Sequence, residues 1–177
     1  MKKLLLAPAA LAAMALYPAG ASAATTATTV MHSGTIVAFV NPAQAPGGTG
    51  TIFVIGVIAD YGTTVNVTAA GKPSENYARI NLTKGGFEVN LTTLNKITNA
   101  ETPTFSAATC MFWGSGSGPI TLSNGTGAYA GITGTLTVHE IYVGVAPRLA
   151  SGRCNMAQNA TPTHMTMQVT ATGHVSF

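Results

Sequence analysis

The side chains able to do acid–base work are few: the carboxylates are Asp60, Glu75, Glu88, Glu101 and Glu140, and the imidazoles His32, His139, His164 and His174. The pair His139-Glu140 lies within the alternating segment Thr135–Val145. Neighbours on a strand face opposite sides, so one of the two must point inward. Leu136, Val138, Glu140 and Tyr142 form one face; Thr135, Thr137, His139, Ile141 and Val143 form the other. If the first lines a dry interior, Glu140 is a carboxyl in an apolar cavity, raised in pKa and suited to a general acid, with Tyr142 beside it as a ligand contact. If the second faces inward, Glu140 stands in water and His139 inside. Both assignments are open at this point.

Asp60, before Tyr61-Gly62, has two readings: capping a turn, which Asp commonly does, or presenting a carboxyl with the Tyr61 ring at a cavity mouth. Trp113 follows Met111-Phe112 and precedes Gly114-Ser115-Gly116-Ser117-Gly118. It reads as a ligand-stacking ring on a flexible loop or as a plug closing one end of the fold. Other chemistries are poorly provided for. No two histidines stand at H-x-H or H-x-x-x-H spacing, so no metal site is expected. A Ser-His-Asp triad would need Asp60, the sole Asp, and no G-x-S-x-G elbow occurs. No cofactor motif is present.

These residues sit in a chain of 177 whose start carries Lys2-Lys3, an apolar run Leu4–Leu16 and the triplet Ala21-Ser22-Ala23. That order matches a secretory signal peptide, with cleavage expected after Ala23. The apolar run is shorter than the roughly 20 residues of a spanning helix, so no transmembrane segment is expected once residues 1–23 are removed. Residues 24–177 then form one domain. Of eight Lys and Arg, two leave with the signal, so six face five acidic residues. The remaining cations are scattered, which argues against a nucleic-acid or anionic-membrane partner. The Met-Lys-Lys start looks bacterial, so the expected location is secreted, periplasmic or cell-envelope, and the five N-x-[ST] sequons at Asn66, Asn81, Asn90, Asn124 and Asn159 are read as compositional. Two cysteines in an exported chain imply one bridge, Cys110–Cys154. It would close a loop of about 45 residues, worth roughly 4 kcal/mol on the chain-entropy model.

No stretch keeps apolar residues at i, i+3, i+4, i+7 for three turns, whereas period-2 alternation recurs. It is clearest at the C-terminus, where Met165, Met167, Val169, Ala171, Val175 and Phe177 share a register with Gly173, a point for the strand to bend. Further strands are expected near 29–40, at 51–59 (apolar on both faces, as in a central strand), at 63–69 after an Asp60-Tyr61-Gly62 turn, and at 119–123 and 134–145. Tyr77–Thr83 and Phe87–Thr92 flank Lys84-Gly85-Gly86 as a hairpin. Ala78, Ile80 and Leu82 would share its face with Phe87, Val89 and Leu91. Residues 93–108 and the segment through Pro147 and Cys154 read as loops. The fold class is all-β: an eight-stranded antiparallel closed barrel, with a β-sandwich as the alternative. The barrel is preferred because long first and last strands can pair and remove both open edges.

The segment Asn124-Gly125-Thr126-Gly127-Ala128-Tyr129-Ala130-Gly131-Ile132-Thr133-Gly134 resembles the G-T-G-x-Y-x-G-x-x-G signature of the allene oxide cyclase and dirigent-like barrel superfamily. Ile120, Leu136 and Val138 around it fit that pattern. The resemblance implies a closed barrel with an apolar lumen that binds hydrophobic small molecules and, in some members, steers cyclisation or radical coupling. It brings no catalytic residue, since its glycines make turns and close packing; Tyr129 reads as a core or turn ring. Lacking Gly at position 130, the segment is not a G-x-G-x-x-G phosphate loop.

The expected function is therefore an exported barrel binding a small hydrophobic ligand, with no assured catalysis; Glu140 and Asp60 are the weak catalytic candidates and Glu140, Tyr142, Trp113 and Tyr61 the ligand contacts. One alternative is a non-catalytic envelope or extracellular structural or interaction protein. The other is a cyclase or isomerase of the allene oxide cyclase type. The sequence leaves the oligomeric state open.

Overall fold

A computed structural model describes residues 30–42, 48–67, 76–157 and 160–177; the expected signal peptide and its cleavage site lie outside them. The strands are β1 (Met31–Asn41), β2 (Thr49–Gly56), β3 (Asp60–Asn66), β4 (Tyr77–Leu82), β5 (Gly85–Asn90), β6 (Thr104–Ser106), β7 (Met111–Gly127), β8 (Thr133–Val145) and β9 (His164–Ser176), with one helix, α1 (Thr92–Thr98), between β5 and β6.

The sheet runs β5-β4-β3-β2-β1-β9-β8-β7, and β5 pairs with β7 to close it. Eight antiparallel strands thus form a closed barrel, and the short β6 extends β7 outside the ring. First and last long strands meet from Met31 opposite Ser176 to Val40 opposite Met167. The edges that would have been left open are paired. Inward positions of every strand of the ring except β3 meet in one core that includes Ile36, Val54, Ile80, Phe87, Leu136 and Val175.

Four expectations need correction. Asp60–Gly62 is not a turn but the start of β3. The strand at 51–59 is not apolar-buried on both faces, because Phe53 and Ile55 face outward into solvent while Ile52 and Val54 are buried. The stretch 93–108 is not all loop. It holds α1, whose seven residues are too few to show three helical turns of periodicity, and β6.

The Gly-Ser run 114–118 is likewise strand rather than flexible loop, the middle of the first half of the 17-residue β7. Its glycines alternate inward. A Cβ at Gly116 would overlap Thr98 Oγ1, one at Gly118 would stand 3.1 Å from Ile97 Cδ1, and one at Gly114 would overlap the Tyr142 ring. The missing side chains form a trough in the inner wall, and α1 lies in it. A helix this short is not stable by itself. It is fixed by burial of Leu94, 2% exposed, and at its start by the Thr92 N–H donating to Asn90 Oδ1 at 2.9 Å.

Cys110 and Cys154 are disulfide-bonded, with Cα atoms 5.4 Å apart. The bridge ties the loop after β8 to the start of β7. Arg148 reinforces it, donating to the carbonyls of Ala108 and Gly152 at 2.8 Å each.

Candidate functional site

The two barrel ends differ. At one, short turns bring Asp60, Thr83, Lys84 and Tyr129 together. The Asp60 carboxylate accepts from the Tyr61 N–H (2.8 Å), the Lys84 N–H (3.0 Å), the Tyr129 hydroxyl (2.9 Å) and the Thr83 hydroxyl. Burial alone would raise its pKa, but these four donors outweigh it and hold the carboxyl well below the usual range. The same burial and the bond to Asp60 push the Tyr129 phenol up to about 12. The Tyr129 ring packs edge-on against Phe87 and Phe177, with centroids 5.7 and 5.6 Å away. This end is sealed. Asp60 is a structural anchor with its oxygens occupied, and Gly125 is glycine because a Cβ there would overlap the Tyr129 carbonyl.

The opposite end carries the longer connections and α1. Glu140 projects inward from β8 and is buried at 5% exposure, which settles the face assignment left open by its alternation. Its Oε1 accepts from Thr98 Oγ1 at 2.9 Å. Desolvation pushes its pKa up, with the Thr98 bond and the nearby His139 pulling the other way. Tyr142, on the same face and also buried, is pushed up by desolvation and by the charges of Glu140 and Glu101; it packs over Gly114 and near Phe112 rather than against open space.

Between the ends lies a cavity of about 190 Å³. Its wall is Ile, Val, Leu, Ala and Phe from most strands, and its polar contributions come from Thr64, Asn66, Asn95 and Glu140. The polar side of β3 faces inward because Asp60, locked at the closed end, fixes that strand's register: Thr64 sits opposite Ile80 and Asn66 opposite Ala78. A second cleft of about 520 Å³ runs along the rim between Thr49–Thr51 and Val143–Val145. It brings together no acid with a base.

Of the four expected ligand contacts only Glu140 lines this cavity; Tyr142 is packed against β7, and the other two stand on the outer wall. Trp113 stands on the outer face of β7, opposite Thr104 of β6 and Val143 of β8, neither in the lumen nor plugging it. Tyr61 is on the outer wall of β3, 62% exposed. Neighbours of inward residues face outward, and Asp60 and Phe112 take the inner positions.

Sequence reasoning missed Thr98, Leu94 and Asn95, all on α1; the Gly-x-Gly-x-Gly spacing in β7, which leaves one face of a strand without side chains, was the available signal. It also missed an outer cross-strand pair, Ser117 Oγ to His139 Nδ1 at 2.8 Å. That pair is exposed on a convex wall, and Glu140 beside it points the opposite way. Among the described residues, no group of three or more metal-ligating side chains converges, and no helix is long and apolar enough to cross a membrane.

Compared with protein-family models, curated proteins and solved structures, the chain matches none.

Proposed function

We propose that this barrel binds a small, mainly apolar molecule in its lumen, with a polar group of that molecule directed to Glu140 at the α1 end. The observation that carries the reading is the cavity itself: an apolar chamber sealed at one end, holding one buried carboxyl whose second oxygen is not engaged by Thr98. Binding sites combine apolar walls with a few placed polar groups in this way. The volume sets the ligand class. At about 190 Å³ it is only a little larger than an engineered cavity of roughly 150 Å³ that takes benzene, and below the roughly 300 Å³ where drug-sized sites begin. The ligand is therefore of the size of a substituted benzene, with an amine or hydroxyl donor for the carboxylate.

The test is a methyl-NMR titration with benzyl alcohol, benzylamine and toluene. Binding should shift the methyls of Ile36, Val54, Ile80 and Leu136, and Glu140→Gln should weaken benzylamine more than toluene. Shifts confined to outer-wall methyls, or none at millimolar probe, would reject the reading.

Export to an oxidising compartment is part of the proposal, supported by the Cys110–Cys154 bridge and the leader-like start. Kinship with the allene oxide cyclase and dirigent-like barrels is proposed on the Asn124–Gly134 segment. The barrel form agrees with it, though unrelated families share that form. A cyclase or isomerase activity would rest on Glu140, the one acid that lines the lumen among the described residues. A non-catalytic interaction role is the second reading, favoured by exposed aromatic rings on the outer wall.

A further inference from the structure

The outer wall of β1, β2 and β3 carries three aromatic rings in one cross-strand row. Phe39 stands opposite Phe53, and Phe53 opposite Tyr61. They are 46%, 51% and 62% exposed. In the next row Val37 stands opposite Ile55, itself 41% exposed. None of these side chains contributes to the core, and an aromatic row in water, flanked by Thr35, Thr51 and Thr63, is a cost without return for a monomer. Apolar patches of this kind mark interaction sites.

We propose that this row is the contact surface of a symmetric dimer, with a second copy of the chain as its occupant. Three observations select that partner. The row is symmetric about Phe53: a two-fold axis passing there lays Phe39 of one copy over Tyr61 of the other and the two Phe53 rings together, the self-complementary arrangement of an isologous interface.

The outward residues flanking the row, Thr35, Thr51, Thr63, Gln168 and Thr170, carry no charge; on β4, next to β3, Arg79 is paired with Glu88 at 3.6 Å, and Lys84 is turned to the Ala59 carbonyl at 3.2 Å. A copy of the same wall meets it without like-charge repulsion, whereas a charged partner would leave desolvated charges unmatched.

The area is of the right order. At roughly 200 Å² per aromatic side chain the three rings leave about 300 Å² exposed, so two copies remove about 600 Å². The rings alone thus supply half of the roughly 1,200 Å² at which stable interfaces begin, and in the proposed dimer the other half falls to Val37, Ile55 and the flanking Thr and Gln residues of both copies. The lumen and its mouth lie inside the barrel and at its end, so dimerisation leaves them open.

Sedimentation velocity and light scattering on the chain as its host processes it provide the test. The wild type should be a dimer at micromolar concentration, Phe53→Glu a monomer with unchanged circular dichroism and an affinity at least about 100-fold weaker, and Thr121→Glu, on the opposite wall in β7, still a dimer. Should Phe53→Glu lose the fold, Phe39→Ser and Tyr61→Ser, which only trim exposed rings, must give the same dissociation. A wild type that stays monomeric at high micromolar concentration would overturn the proposal. So would equal dissociation by Thr121→Glu, or a monomer that floats with neutral phosphatidylcholine vesicles through the same rings.

Discussion

Gly116→Ala adds one methyl group to the inner wall of β7, and its effect separates a seated helix from a loosely apposed one. Taken alone, alanine in a strand interior is favoured over glycine by about 0.5–1 kcal/mol. Here the new Cβ would overlap Thr98 Oγ1 and stand 3.2 Å from Thr98 Cβ, so Thr98 must rotate away and its bond to Glu140 is lost. A hydrogen bond to a charged group contributes about 1.5–3 kcal/mol, and residual crowding in a packed wall costs about 1–3. The balance is a destabilisation of about 2 kcal/mol or more. For a domain of this size each kcal/mol moves Tm by about 2–4 °C, so a fall of at least about 4 °C is expected. Amide exchange should localise it: protection over Thr92–Thr98 should drop while β8 and β9 keep theirs. An unchanged or raised Tm, with exchange over α1 unaltered, would refute the claim that the β7 glycines exist to seat the helix.

Glu140→Gln should keep the Thr98 bond, remove a buried charge and leave the fold at least as stable at neutral pH. Because the folded carboxyl is raised, the cost of its charge is present above the folded pKa and disappears as pH falls below the unfolded value, so urea midpoints of variant and wild type should converge in acid. Asp60 has the opposite sign. Its depressed folded pKa gives stability that is present above the unfolded value near 3.9 and is lost as pH falls through the folded one. Asp60→Asn, which places an amide donor against the Lys84 N–H or the Tyr61 N–H, should cost about 2–3 kcal/mol at pH 7 by chemical denaturation. Reducing Cys110–Cys154, 44 residues apart, should lower stability by about 4 kcal/mol on the chain-entropy model, measured by denaturation with and without a phosphine reductant.

Much of this architecture was legible because a barrel writes itself as period-2 alternation. Leu136, Val138, Glu140 and Tyr142 did turn out to share the inner face, and the long C-terminal strand does pair with the first. The Ala78–Leu82 and Phe87–Val89 faces of the hairpin also meet as expected. What stayed hidden depends on tertiary contacts. Residues 114–118 have no hydrophobic alternation to read, since the inner positions are empty of side chains and the outer ones are serine. The helix that fills the gap shows a single buried anchor, Leu94. In β3 and just after it the apolar residues Val65 and Val67 would be guessed inward, but Asp60 and its donors at the sealed end impose the other register, and no local pattern reports a bond from Tyr129, 69 residues away. Trp113 and Tyr61 look like site residues by type alone; strand parity puts them outside.

The lumen reading is tested most directly by native mass spectrometry of the protein taken from its own host, followed by unfolding in the same instrument. The expected result is a population carrying one extra small mass per chain, close in size to a substituted benzene, released on unfolding and diminished in Glu140→Gln. Only the bare chain mass in material from its own host, together with lumen methyls that ignore benzylamine and toluene alike, would contradict it.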